Sequence, residues 1–239
     1  MNDNTLVAVC GYDGDSHQIR NMLPYYFHHK CPVVVLSPLD AAIHAHHLGG
    51  TFKGMEYKAA GKRAYVGQDS LDRQVEHLKI LLSYPQNFFL VHDSDSVCLS
   101  PRLPGYLYQT DCLWSNQVSD MCHQRPDTYT FPRLAFQPPY FMTRRVIEAV
   151  IAASSQVPTE AQTPFIDWAM MAWCVKSGMA SQTFPEGVSC PSWTPETYAA
   201  MDNAVRHEGR IFVHSIKHLD VLKKIAYARI EYKRAHRIQ

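Results

Sequence analysis

The sequence predicts an α/β fold, with a mostly parallel mixed sheet flanked by helices in a single domain. Three observations predict it. Two wholly apolar runs, Thr5–Cys10 (TLVAVC) and Pro32–Leu36 (PVVVL), are separated by a stretch with helical spacing. A third apolar run, Asn87–Val91 (NFFLV), follows the most regular helical pattern in the chain. Strands of this kind are buried on both faces, and the helices that connect them supply the cover.

Thr5–Cys10 reads as the first strand, and Gly11-Tyr12-Asp13-Gly14-Asp15 as the sharp turn that ends it. Ser16–His29 has Ile19, Met22, Leu23 and Tyr26 on one side, with Pro24 as a kink or restart. Pro32–Leu36 is the second strand, stopped by Ser37-Pro38-Leu39-Asp40. Asp40–Leu48 suggests a short helix ended by Gly49-Gly50, and residues 51–68 are less regular. Ser70–Ser83 is the clearest helix, with Leu71, Val75, Leu78, Leu81 and Leu82 as its apolar face. Asp69 or Ser70 is its expected cap, and Pro85 lies just beyond its end. Further on, a strand is expected over Pro138–Met142 and helices over Thr143–Ser154 and Pro164–Ser177. Gly209–His214 (GRIFVH) ends in a strand-like run, and Leu219–Arg237 reads as a terminal helix.

Composition narrows the class. With 46% hydrophobic and 19% charged residues over 239 positions, the chain has the balance of a compact domain rather than a disordered or fibrous one. No apolar run approaches the ~18 residues of a membrane helix. The opening MNDNTLVAVC has no basic lead, so it is expected to enter the fold as a strand rather than act as a leader. Seven Cys without a CxxC pair point to buried, reduced thiols and a cytoplasmic setting.

The strongest chemical signal is Asp93-Ser94-Asp95, two carboxylates expected just past the end of the apolar strand. Open α/β sheets bind ligands at that end. A pair of acceptor-only groups there suits a hard cation such as Mg²⁺ or Mn²⁺, which also takes phosphate oxygens. The competing reading is two solvated loop acids. The second signal is Phe212-Val213-His214-Ser215-Ile216-Lys217, a strand that ends in a metal-ligating residue type, with a cation three residues on. His214 and His218, at i and i+4, would instead suit zinc on a helix, but no third ligand is spaced to complete that site.

An apolar first strand, an Asp-x-Asp after a later strand and a C-terminal His-x-x-Lys together resemble the GT-A family of nucleotide-sugar-dependent glycosyltransferases. The resemblance covers most of the chain in layout, and few residues carry it. It implies that Asp93, Asp95 and His214 bind a divalent metal, Mn²⁺ or Mg²⁺, on the diphosphate of a nucleotide-sugar donor, a UDP-sugar. It implies that Lys217 holds the diphosphate. The fuller His-x-x-Gly-x-x-Lys signature of one retaining group is absent. The first turn would meet base and ribose: Gly11 lets the backbone approach, Tyr12 stacks on a pyrimidine and Asp13 accepts a hydrogen bond. Arg73, on the helix before the Asp-x-Asp strand, is a candidate for neutralising the leaving diphosphate, set against a plain surface Arg. Asp167, at the start of its helix, is the candidate catalytic acid–base group, set against a carboxylate favoured by the helix dipole.

The resemblance divides the chain into a nucleotide-sugar half (1–100), an acceptor half that includes the metal His (101–218) and a basic C-terminal helix (219–239). Residues 223–239 hold Lys223, Lys224, Arg229, Lys233, Arg234 and Arg237 against Glu231, leaving 17 basic and 21 acidic residues elsewhere. The formal charge of +1 is therefore a polarised sum. In layout the chain is similar to small bacteriophage enzymes that glycosylate hydroxymethylated pyrimidines, which implies modified DNA as acceptor; a glycan or protein acceptor is the alternative. Other readings are a haloacid-dehalogenase-type phosphatase with Asp93 as nucleophile and Asp95 as acid–base, a nucleotidyltransferase, and an inactive nucleotide-sugar-binding module. The phosphatase motif normally opens its fold, whereas here about 90 residues precede it.

Overall fold

The computed structural model describes residues 4–11, 32–37, 56–59, 68–100, 102–119, 135–157, 166–189, 194–214, 216 and 218–238. The helices expected over Ser16–His29 and Asp40–Leu48 lie outside them. The main sheet has seven strands: β1 (Thr5–Cys10), β2 (Val33–Ser37), β3 (Glu56–Ala59), β4 (Phe88–Asp93), β6 (Cys112–Ser119), β7 (Ala135–Thr143) and β8 (Ala180–Thr183). Their order is β3-β2-β1-β4-β7-β6-β8. β7 runs antiparallel to both of its neighbours, and every other pairing is parallel. The mixed α/β, mostly parallel sheet expected from the sequence is the one found. A second, three-stranded sheet has the order β5-β10-β9, formed by Val97–Cys98, Phe212–His214 and Gly187–Ser189.

Alternation along the strands creates two cores. Val7 and Val9 of β1 and Leu90 of β4 face one side, while Leu6, Ala8, Phe89 and Val91 face the other. Helices α1 (Gln68–Leu82), α2 (Arg144–Ser154) and α3 (Ile166–Ser177) cover the second side with Leu71, Leu78, Val146, Ile147 and Ala169. The small sheet, α4 (Pro195–His207) and α5 (Leu219–Ala235) close the first with Phe212, Val205, Leu222, Ile225 and Ala228. No described helix is long and apolar enough to cross a membrane. None of the four described cysteines, Cys10, Cys98, Cys112 and Cys174, is in a disulfide, and all are buried.

Local chemistry explains the helix starts. Thr143 caps α2, accepting from the Val146 N–H at 3.3 Å and donating to Asp111 Oδ1 at 2.7 Å. Thr194 and Thr197 form a reciprocal capping box at α4, with Pro195 at its first turn. Helix α1 begins earlier than expected, at Gln68, so Asp69 and Ser70 lie in its first turn rather than at its cap. Residues 51–68 also hold β3, which escaped the sequence reading. Strand β4 runs two residues longer than its apolar run, so Asp93 is its last residue rather than the second one beyond it.

The C-terminal helix is anchored at Gly209. This residue has φ of +74°, and its carbonyl accepts from Arg229 Nη1 at 3.1 Å. A Cβ placed there would lie 2.4 Å from the Tyr232 ring. Gly178 has a similar φ of +70°, with nothing within 4 Å of the same point. Gly178→Ala should therefore cost about 1 kcal/mol, from left-handed backbone alone. Gly209→Ala should cost about 3 kcal/mol, because the Tyr232 contact adds to it. Urea unfolding of both variants measures the difference, and equal losses would contradict the docking described here.

Candidate active site

The site sits where the order of the parallel strands reverses. From β1 the chain goes to β2 and β3 on one side, then to β4 on the other. Such a switch point leaves a crevice at the carboxyl ends of the two central strands. Cys10 is paired with Asp93 across it, and the N–H of Gly11 donates to the Leu36 carbonyl at 2.8 Å. Gly11 thus continues β1 by one residue at the rim of the crevice.

After Asp93 the chain turns, with Ser96 N–H donating to the Asp93 carbonyl at 3.1 Å. The turn tucks Asp95 under the small sheet, where the residue is 6% exposed. Its carbonyl accepts from Ile216 N–H at 2.8 Å, and its Oδ1 lies 3.8 Å from His214 Nε2. His214 and Ser189 are register partners on β10 and β9, and Ser189 Oγ is 3.1 Å from His214 Nδ1. That contact orients the imidazole so that Nε2 faces the carboxylate. His92, buried one residue before Asp93, has its pKa lowered to about 4 by burial, against the opposing pull of the Asp93 carbonyl and the Asp95 charge. It is neutral near pH 7, and its Nδ1–H donates to the Asp93 carbonyl at 3.0 Å.

A second acid group adjoins these carboxylates. The Tyr140 hydroxyl lies 2.9 Å from the Phe136 carbonyl and 3.1 Å from Asp167 Oδ1. Burial raises the Asp167 pKa to about 7; the Tyr140 hydrogen bond lowers it and the Asp95 charge raises it further. Burial and the charges of Asp167 and Asp93 push the Tyr140 hydroxyl well above its ordinary value. Burial and Asp93 likewise raise the Cys10 thiol, while Arg73 lowers it. Arg73 is 2% exposed on the inner face of α1. Its charge and, above all, burial lower the His77 pKa to about 3. Among the described residues, one positive charge near the acids therefore lies inside the fold.

The structure brings together Asp95 and His214, and ties Asp167 to Asp93 and Asp95 through Tyr140 and through charge. It puts Arg73 in the interior, not on the surface. Among the described residues no group of three or more His, Cys, Asp or Glu is gathered to hold a metal unaided. The expected convergence of Asp93, Asp95 and His214 into one three-ligand set is thus not seen. Tyr12, Asp13 and Lys217 lie outside the described residues. The zinc alternative fails on geometry, since His214 ends a strand and His218 is the N-cap residue of α5, so the two share no helix face. Trp168, next to Asp167 on α3, is 2% exposed in the core and so offers no face to a ligand. Tyr140, Ser189 and His92 were missed. No local signal marks Tyr140 or Ser189, whereas His92 stood beside the motif.

The raised Asp167 pKa has a measurable consequence. Because about 7 lies above the ordinary carboxylate value of 3.8, the folded protein binds more protons than the unfolded chain between those values. Its contribution to stability is present below pH 4 and is lost as pH rises through 7. Asp167→Asn should be near neutral for stability at pH 4.5 and stabilising by about 1–3 kcal/mol at pH 7.5 in metal-free buffer. Urea unfolding at the two pH values checks this; a variant destabilised equally at both would refute it.

No known protein family matches the chain, and no curated protein matches it. Solved structures do. One is a 4-diphosphocytidyl-2C-methyl-D-erythritol synthase, with 12% sequence identity and a TM-score of 0.52 over 86% of this chain and 99% of that one. Another is the nucleoside-diphosphate-sugar pyrophosphorylase from Vibrio cholerae RC9, with 10% identity and a TM-score of 0.48 over 82% of this chain and 98% of that one. At such an identity the first likeness is one of fold alone: this chain shares the mixed α/β architecture of that synthase, a mostly parallel sheet flanked by helices.

Proposed function

We propose that this chain is a metal-dependent glycosyltransferase that moves a sugar from a nucleoside-diphosphate sugar, a UDP-sugar, to an acceptor hydroxyl. The observation that carries the reading is the Asp95–His214 pair beside the switch-point crevice, with Nε2 facing Oδ1 at 3.8 Å. The donor set fits a hard or borderline divalent ion. Two ligands each about 2.1 Å from one ion can stand up to about 4.2 Å apart. A set of one carboxylate and one imidazole leaves most of the coordination shell for phosphate and water, which suits Mn²⁺ or Mg²⁺ on a diphosphate. Such an ion, when bound, neutralises charge that develops on the departing nucleoside diphosphate.

The chain's own residues have distinct tasks in this reading. Asp95 and His214 hold the ion, Ser189 fixes the imidazole, and Asp93 adds negative charge at the strand end. Gly11 with Tyr12 and Asp13 receives the nucleoside, and Lys217 contacts the phosphates. Arg73 balances the acids from beneath, the role of a positioning charge rather than a phosphate ligand. Asp167, held by the Tyr140 hydroxyl, takes the proton from the acceptor hydroxyl; its pKa of about 7 places it for proton transfer near neutral pH. Residues 1–100 form the donor half and 101–218 the acceptor half. The basic 219–239 segment supports an anionic acceptor such as DNA with hydroxymethylated pyrimidines.

Incubation with Mn²⁺ and a panel of nucleotide sugars, with and without hydroxymethylated DNA, should release a nucleoside diphosphate. Release of pyrophosphate from a nucleoside triphosphate and a sugar phosphate would point to nucleotidyl transfer, and phosphate release from a simple phosphoester to a phosphatase. No thermal shift with any donor would sink the glycosyltransferase reading. Asp95→Asn should abolish metal-dependent donor binding in a folded protein. Ser189→Ala should weaken Mn²⁺ affinity about 10–100-fold, as loss of a ligand's supporting contact does elsewhere. Titration calorimetry reads it directly, and an unchanged affinity would remove His214 from the metal site.

A further inference from the structure

Helices α4 and α5 pack side by side and leave between them a groove of about 900 Å³. Tyr198, Asp202 and Arg206 line it from α4, Lys224 and Tyr227 from α5, and His218 from the cap. Two acids of this region, Asp202 and Glu231, are matched, while Asp220 stands exposed in the first turn of α5. Arg206 Nε and Nη2 donate to the Asp202 carboxylate, each at 3.1 Å, and Nη1 contacts Glu231. Lys223 and Lys224 are exposed and form no ion pair with a described residue. Arg234 continues the exposed basic face along the helix, and Arg237 is exposed just beyond its end. The groove therefore presents a surplus of positive charge, on a chain whose residues 1–222 sum to −4.

Aromatic faces stand between the cations. Tyr227 is 54% exposed, and the rings of Tyr198 and His218 meet edge-on, 6.3 Å apart. Cationic stems with interleaved aromatic rings match the backbone and bases of a nucleic-acid strand. A lipid surface fits less well. The broad apolar side of α5, with Leu222, Ile225 and Ala228, is spent on the core, and among its described residues Tyr227 and Ile230 are the large apolar side chains left exposed. One residue of the groove, His218, is close in sequence to the reacting edge. His218 follows His214 by four residues, and Ile216 between them is bonded to the Asp95 carbonyl.

We infer that this groove holds a strand of nucleic acid, with its phosphates on Lys223 and Lys224 and its bases against Tyr227 and Tyr198. The inference rests on the transferase reading above for its meaning, since it makes the strand the acceptor. Fluorescence anisotropy with a labelled single-stranded DNA 12-mer tests it. Binding should weaken with salt, and Lys223→Gln with Lys224→Gln should reduce the log–log salt slope by about 1.4. Tyr227→Ala should weaken binding about 10-fold. Unchanged affinity in both variants, with helicity intact by circular dichroism, would overturn the proposal. So would equal affinity for phosphatidylserine vesicles or for polyglutamate. A thermal shift with Mn²⁺ and a UDP-sugar, read on the same protein, keeps the two ideas separate. Strand binding without a donor shift rejects the transferase reading alone, and a donor shift without strand binding rejects the groove alone.

Discussion

The pairing of β1 with β4 is the constraint on which the rest depends. Six consecutive register partners, from Thr5 with Phe88 to Cys10 with Asp93, lock two strands that are almost eighty residues apart in sequence. A slip of one residue would exchange the two faces of β4 and carry Phe89 and Val91 into the wrong core. The register therefore decides which core receives each side chain, and it decides that a carboxylate stands at the end of the central strand. The turn at Ser94 then has one task, to pass Asp95 from the main sheet to the small one. The Ile216 amide completes that transfer by binding the Asp95 carbonyl.

Around that edge the electrostatics are one coupled set. Asp95 is felt at His92 and at Asp167, while Asp93 is felt at Cys10 and Tyr140. Burial and the Asp95 charge raise the proton affinity of Asp167, the expected result where a carboxyl group has lost water. A buried Arg73 offsets part of this from the opposite side. Burying a guanidinium is costly unless charge is nearby to balance it, so its placement and that of the acids depend on each other.

Much of this was legible in the sequence, for physical reasons that differ by element. TLVAVC, PVVVL and NFFLV announce themselves because a strand buried on both faces must be apolar throughout. The β4 boundary was misjudged because His92 and Asp93 are held in the strand by β1, a partner that local composition does not reveal. Arg73, Gln74 and His77 broke the apolar pattern of α1, yet all three are buried. Their cover comes from charge and shape assembled by other segments. Strands β8 (ASQT) and β9 (GVS) carry no apolar alternation and exist through their neighbours β6 and β10. Helix α4 did carry a signal, Thr194-Pro195-Glu196-Thr197, in the form of its capping box. Asp95 and His214 were found by residue type, but Ser189 and Tyr140 acquire their roles only when distant strands meet.

The closing of the first core by α5 has a consequence for how the molecule is made. Val7 and Val9 lie in the same apolar cluster as Leu222, Ile225 and Ala228. During synthesis the second core has all its helices once residue 177 has emerged, whereas the first still lacks β10 and its outer cover. For about fifty residues of translation, one face of the central sheet has only part of its cover, from residues 97–107. The order of synthesis thus leaves part of that apolar face uncovered until the C-terminal segments arrive. Asp95 and His214 meet only when β10 enters, so the reacting edge is among the last parts of the molecule to exist.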